Sequence, residues 1–176
     1  MNIDRVCIAS WGSYNSCNDS EASLGVWVNL NDFNTLDEVI KYLESKHNFI
    51  TDGIDEELFI IDDDNNLYPT DDDLSSAWKR FEILKDIDLD ILEALAESDN
   101  MRNKTLEDLK EIDEDSYIFY PKYSFFDYAA ETFDELYLNN LPSHIQNYIN
   151  YNAFARDLSF EVDYIESSKG LVIINH

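Results

Sequence analysis

Between positions 52 and 115 this chain carries 23 Asp and Glu against 6 Lys and Arg, a net of -17 within a total of -26 for 176 residues. A stretch of that charge density folds only if apolar residues are ample and the carboxylates stay in water, because self-repulsion opposes compaction. The apolar material is present: 44% of the chain is hydrophobic and 14% aromatic, unlike the charge-rich, apolar-poor compositions that remain disordered. A conventional nucleic-acid binder is excluded, since phosphates would be repelled.

Along the chain, residues 5–10, 25–30 and 57–62 are short β-branched and aromatic runs, bounded by turn formers as in antiparallel strands. Thr35 with Glu38 has capping-box spacing and opens a helix whose buried face is Leu36, Val39, Ile40 and Leu43. Thr70 is placed to cap a helix with Asp71, Asp72 and Asp73 in its first turn, at the positive end of the helix dipole, and Leu74, Ala77, Trp78 and Phe81 inward. A second acidic helix over 86–97 sets Ile87, Ile91, Leu92 and Leu95 on one face and Asp86, Asp90, Glu93 and Glu97 on another. Thr105 caps a third through Asp108, with Glu107 and Glu111 outward. Residues 116–120 read as a strand stopped by Pro121. Ser124 and Asp127 open an amphipathic helix with Phe125, Tyr128, Ala129, Phe133, Leu136 and Tyr137 inward, and 160–165 with 171–174 close the chain as a hairpin. The expected class is α+β in three small units: a three-stranded sheet with one helix at 1–68, an acidic helical middle at 69–114, and an α+β unit of sheet plus helices at 115–176.

Like charges at i, i+4 cost a helix about 0.2–0.5 kcal/mol a pair, so three consecutive acidic elements ask for a functional reason where one would not. Catalysis finds no support. His47, His144 and His176 are scattered, no Ser sits in a Gly-x-Ser-x-Gly elbow, and four glycines make no phosphate cradle. The chain is expected not to be an enzyme and to use no cofactor. Asp62 onward imitates a calcium loop, with Asp64, Asn66, Tyr68, Thr70 and Asp73 at ligand positions. Leu67, however, stands where that loop needs Gly, Asp73 replaces the bidentate Glu, and a strand precedes it, so no metal is expected. Cys7 and Cys17 lack metal or redox spacing. No apolar run reaches membrane-spanning length and the N-terminus has no secretory pattern, so the expected location is the cytoplasm.

The least acidic long passage is 139–158, NNLPSHIQNYINYNAFARDL. Pro142 suits a first helical turn, with Ser143 beside it. Leu141, Ile145, Tyr148 and Ile149 recur at helical spacing as one apolar face. Asn150 and Asn152 interrupt it, and Ala153, Phe154 and Leu158 begin a second short helix carrying Arg156 and Asp157. On the residues alone these are core or interface helices. The wording Leu141-Pro142-x-x-Ile145-x-x-Tyr148-Ile149-x-Tyr151-x-Ala153-Phe154-Ala155-Arg156-Asp157-Leu158 resembles the antirestriction motif of the ArdA family, DNA-mimic proteins carried by mobile genetic elements. Residues 6–10, Tyr14-Asn15 and Leu24-Gly25-x-Trp27-Val28 resemble that family's opening strand and its Tyr-Asn and Gly-x-Trp signatures, with a longer spacing across 16–23. Asn150 and Asn152 depart from it, standing where the family often has acids.

This resemblance implies an elongated three-part protomer and a homodimer joined near the motif, among Leu141, Ile145, Tyr148, Tyr151 and Phe154. The implied partner is the DNA-binding groove in the methyltransferase core of type I restriction–modification enzymes. Duplex DNA carries about one charge per 1.7 Å of axis, and carboxylates three or four residues apart on a helix lie about 5–6 Å apart at Cβ, so helical acids can imitate neighbouring phosphates. The expected phosphate-mimicking acids are Asp62, Asp63, Asp64, Asp71, Asp72, Asp73, Asp86, Asp90, Glu93, Glu97, Glu107, Glu111, Asp113, Glu114 and Asp115. Direct binding to nucleic acid or membrane is not expected. Two readings compete: an acidic partner or chaperone of another basic DNA-binding protein, and a salt-adapted protein. The latter should spread its acids over the whole surface.

Overall fold

The computed structural model describes residues 4–17, 19–98, 101–113 and 115–175. Contacts divide the chain into two units, Met1–Ile87 with Asn100–Glu111, and Asp88–Asp99 with Ile112–His176. The class is α+β, as expected. The three-unit description is not confirmed, because the helices of 69–114 are divided between the two units, the one within 89–98 going to the second and the other two to the first.

In the first unit β1 (Arg5–Ser10) is the centre of a three-stranded antiparallel sheet, flanked by β2 (Val26–Asn29) and β3 (Leu58–Asp63). Short helices α1 (Trp11–Asn15) and α2 (Glu21–Leu24) connect β1 to β2, and α3 (Leu36–His47) follows. Val6, Ile8, Leu30, Val39, Leu43 and Ile60 are fully buried. Thr35 caps α3, its hydroxyl accepting from Glu38 N at 3.3 Å, while the Glu38 carboxylate reaches past the cap to Asn34 N at 2.8 Å.

The next helix, α4 (Leu74–Leu84), is capped by Asp73 and not by Thr70. Asp71 N donates to Ile60 O at 2.8 Å and Ile60 N to Asp72 O at 3.0 Å. This pairing holds 71–73 against β3, with Asp71 at a left-handed φ of 68°, so the helix starts only when the chain leaves the strand. Three acids expected in a first helical turn therefore precede the helix.

Gly12 makes the closest approach in this unit. A Cβ there would lie 1.7 Å from the Ile54 carbonyl oxygen, and a backbone atom cannot swing aside as a side chain can. Gly12→Ala is expected to cost about 1–3 kcal/mol, read as a lower urea midpoint with an unchanged denaturant slope.

In the second unit α5 (Leu89–Ser98) packs on a sheet of order β4-β6-β5, formed by β4 (Tyr117–Pro121), β5 (Asp163–Ser167) and β6 (Gly170–Ile174). Pro121 is the last residue of its strand, opposite Gly170, a position where a missing N–H is tolerated. The remaining helix of the acidic stretch, α6 (Leu106–Lys110), belongs to the first unit and packs on α4. It opens with the expected Thr105–Asp108 capping box.

Further along, α7 (Phe125–Leu136) opens with the Ser124–Asp127 capping box and is followed by α8 (Ser143–Gln146) and α9 (Tyr151–Leu158). Phe125, Ala129, Ala155, Leu171 and Ile173 form the core, with Phe125 stacked on Tyr164 at 3.9 Å. Leu136 and Tyr137, expected inward, are 57% and 48% exposed. In the last turn of α7 it is Phe133 that faces α9, meeting the rings of Tyr151 and Phe154 at 5.5 and 5.1 Å, while Tyr137 touches the Phe154 ring only at 6.1 Å. No helix among the described residues is long and apolar enough to cross a membrane.

Caps also set the response to acid. Hydrogen bonds from the Ser76 hydroxyl and amide hold the Asp73 carboxyl below its ordinary range, and bonds from Ser124 do the same for Asp127. A carboxyl whose folded pKa is depressed adds stability above its unfolded pKa, and that stability disappears as pH falls through the folded value. Between about pH 5 and about pH 2 the melting temperature should fall more steeply for the native chain than for an Asp73→Ser, Asp127→Gln variant, whose neutral caps do not titrate. The comparison cancels the relief of repulsion common to both.

Candidate functional site

The expected acids divide by what holds them. In the first unit Asp62 and Asp63 end β3 and Asp64 opens the turn that follows. Asp64 pairs with Arg5 at 3.1 Å and Asp62 with Arg102 at 3.3 Å. Asp63 is not a surface charge: its side chain is 2% exposed and bonded to Arg102 at 3.0 Å. It also accepts from Asn65 N, Leu67 N and Tyr68 N at 3.1, 2.7 and 3.4 Å. Asp63, which falls between the ligand positions of the calcium-like sequence, is thus an anchor for the turn after β3. Asp71 and Asp73 are exposed, whereas Asp72 is half-buried, and burial followed by the neighbouring Asp73 charge pushes its carboxyl upward. Asp86, Glu107 and Glu111 are exposed.

In the second unit Asp90 and Glu97 are exposed on α5. Glu97 accepts from Ser168 N and Oγ at 2.8 and 2.9 Å, and Glu93 is covered by an ion pair with Lys169 that lowers its carboxyl. Asp113 is exposed but ordered by Ser116 N at 2.7 Å, which also lowers it, and Asp115 is exposed. Glu114, like His176, lies outside the described residues.

The motif splits into inward and outward residues. Tyr151 donates to Asp134 at 2.5 Å, Phe154 meets the Phe133 ring at 5.1 Å, and Leu158 packs on the core. The expected single helix over Leu141–Ile149 is instead the four-residue α8, with Leu141 and Ile149 half-buried. Pro142 precedes α8 as its cap residue, and Ser143 makes no cap bond. The chain turns at 147–150 because Asn150 caps α9, accepting from Ala153 N at 3.1 Å. Tyr148 is consequently 84% exposed and Ile145 41%. Arg156 and Asp157 pair with each other at 2.7 Å in solvent.

Sequence reasoning missed the basic residues that organise the acids. Arg80 is buried and donates to Leu67 O, to Lys104 O at 2.8 Å and to Met101 O. It ties to α4 the segment from which Arg102 reaches Asp62 and Asp63. The available signal was scarcity: six bases among 23 acids are each worth asking about.

The fold and surface define an acidic α+β protein whose exposed carboxylates are ordered by caps, by ion pairs and by one buried arginine, Arg80. A family model of antirestriction proteins (ArdA) matches residues 6–173. The chain therefore belongs to the ArdA family of antirestriction proteins. No match was found among curated proteins.

Proposed function

We propose that this antirestriction protein imitates the phosphates of duplex DNA and occupies the DNA-binding groove in the methyltransferase core of type I restriction–modification enzymes. The observation that carries the reading is that Asp62, Asp64, Asp71, Asp73, Asp86, Asp90, Glu97, Glu107, Glu111, Asp113 and Asp115 stay in water in a chain matched to that family over nearly its whole length. Asp63, Asp72 and Glu93 support the others from within. Binding requires no base-edge code, so inhibition is indifferent to the recognition sequence of the target. The protein acts as a homodimer through the motif, with Ile145 and Tyr148 as the contacts facing solvent in the single chain.

The test is titration of purified protein against labelled duplex DNA bound to a type I methyltransferase core, at two salt concentrations. Displacement that weakens at high salt is expected, since the interaction is electrostatic. No displacement at low salt would overturn the reading and move a different basic DNA-binding partner to first place.

A further inference from the structure

The first unit holds a cleft of about 450 Å³ that a uniformly charged mimic of a phosphate backbone does not need. Its floor is apolar, made of Trp11, Leu36, Ile40, Leu58 and Leu74. Its rim carries four exposed carboxylates, Glu56, Glu57, Asp71 and Asp73. We propose that this cleft receives an arginine side chain of the partner protein, its aliphatic stem on the floor and its guanidinium between Trp11 and the rim.

Three observations select that occupant. The first is charge complementarity: an apolar floor under four acids suits a side chain that is greasy along its length and cationic at its tip. The second is the aromatic arrangement. Phe59 stacks on one face of Trp11 at 3.8 Å and 7°, and Tyr14, 5.8 Å from Trp11 and 6.1 Å from Phe59, stands beside the stack and not over it. Among the described residues no second aromatic ring stacks on Trp11, and Trp11 lines the cleft, so its indole is available to a planar cation. Arginine suits it better than lysine, because a guanidinium is weakly hydrated, stacks on indole and offers several donors to carboxylates in different directions.

The third observation is preorganisation. Trp11 N donates to Glu57 O at 3.0 Å, and the Asp71–Ile60 pairing fixes the opposite side of the rim, Asp71 remaining in a left-handed conformation that a non-glycine residue rarely adopts. Floor and rim are held before any ligand arrives. The inference rests on the function proposed above only for the owner of the arginine; the chemistry of the cleft stands without it.

The test is an NMR titration of the ¹⁵N-labelled full chain with n-butylguanidinium. Guanidinium and n-butylammonium serve as probes lacking the stem and the planar head, all at constant ionic strength. The chain has three tryptophans, and Trp11→Phe assigns the relevant indole signal. The Trp11 indole signal should shift saturably, together with amides of Leu36, Leu58 and Ser75, at roughly tenfold lower concentration for n-butylguanidinium than for guanidinium, reflecting burial of the stem. Unsaturated shifts, or equal responses to all three cations, would overturn the cleft as a site. Ser75→Trp, a neutral plug at an exposed position lining the cleft, should remove the saturable shift and weaken displacement of DNA from the methyltransferase core about tenfold. Lost cation binding with undiminished displacement would overturn the assignment to the partner's arginine. A native chain that binds n-butylguanidinium saturably yet displaces no DNA would sink the proposed function while leaving the cleft as a guanidinium site.

Discussion

Replacing Arg80 with methionine is expected to cost the first unit about 3–5 kcal/mol, read as a large fall in the urea midpoint. The side chain is buried, and its guanidinium satisfies the carbonyls of Leu67, Met101 and Lys104. A buried polar group left without a partner costs about 1–3 kcal/mol, and the substitution orphans three at once. Burial pulls the Arg80 pKa down, while the neighbouring Tyr68, Asp72 and Asp63 push it up. Arg80→Lys should recover only part of the loss, because one ammonium cannot reach acceptors as far apart in sequence as Leu67 and Lys104 with the geometry of a planar fork. A loss below about 1 kcal/mol for Arg80→Met would mean that water or rearrangement satisfies these carbonyls and that the clamp is dispensable.

Neutralising acids in number is the second large effect. Asp86, Asp90, Glu107, Glu111 and Asp115 are exposed, and no side-chain hydrogen bond ties any of them to another element among the described residues. Changing all five to amides should leave the fold intact and flatten the dependence of log affinity on log salt by up to about 4.5, on the scale of about 0.9 per phosphate contact. Each single change should alter inhibition little, since the field sums over many charges. One amide substitution that abolished inhibition in a folded chain would contradict a distributed mechanism and point to a specific contact. Asp63 is deliberately left out. Asp63→Asn is a change to the turn after β3 and to its bond with Arg102, so an effect on inhibition there would speak of structure.

Local and periodic features were legible in the residues alone. The capping boxes at Thr105–Asp108 and Ser124–Asp127 fall where their spacing placed them, because side chain and amide are three residues apart whatever surrounds them. The opening strand and closing hairpin followed from β-branched runs and turn residues, and the motif at 139–158, with the signatures near the N-terminus, carried the family. Tertiary structure decided what each acid is for. Asp62, Asp63 and Asp64 are neighbours of one residue type, yet Asp63 is buried because alternate residues of a strand face opposite sides and Arg102 comes from about forty positions away. Asp73 displaced Thr70 as a cap because Ile60, on β3, pairs with Asp71 and Asp72. The motif's inward and outward halves depend on α7 packing on α9, and the cleft floored by Trp11 draws its walls from residues 11 to 75. Burial and ion pairing depend on which distant segments meet, and no local pattern within 52–115 records that.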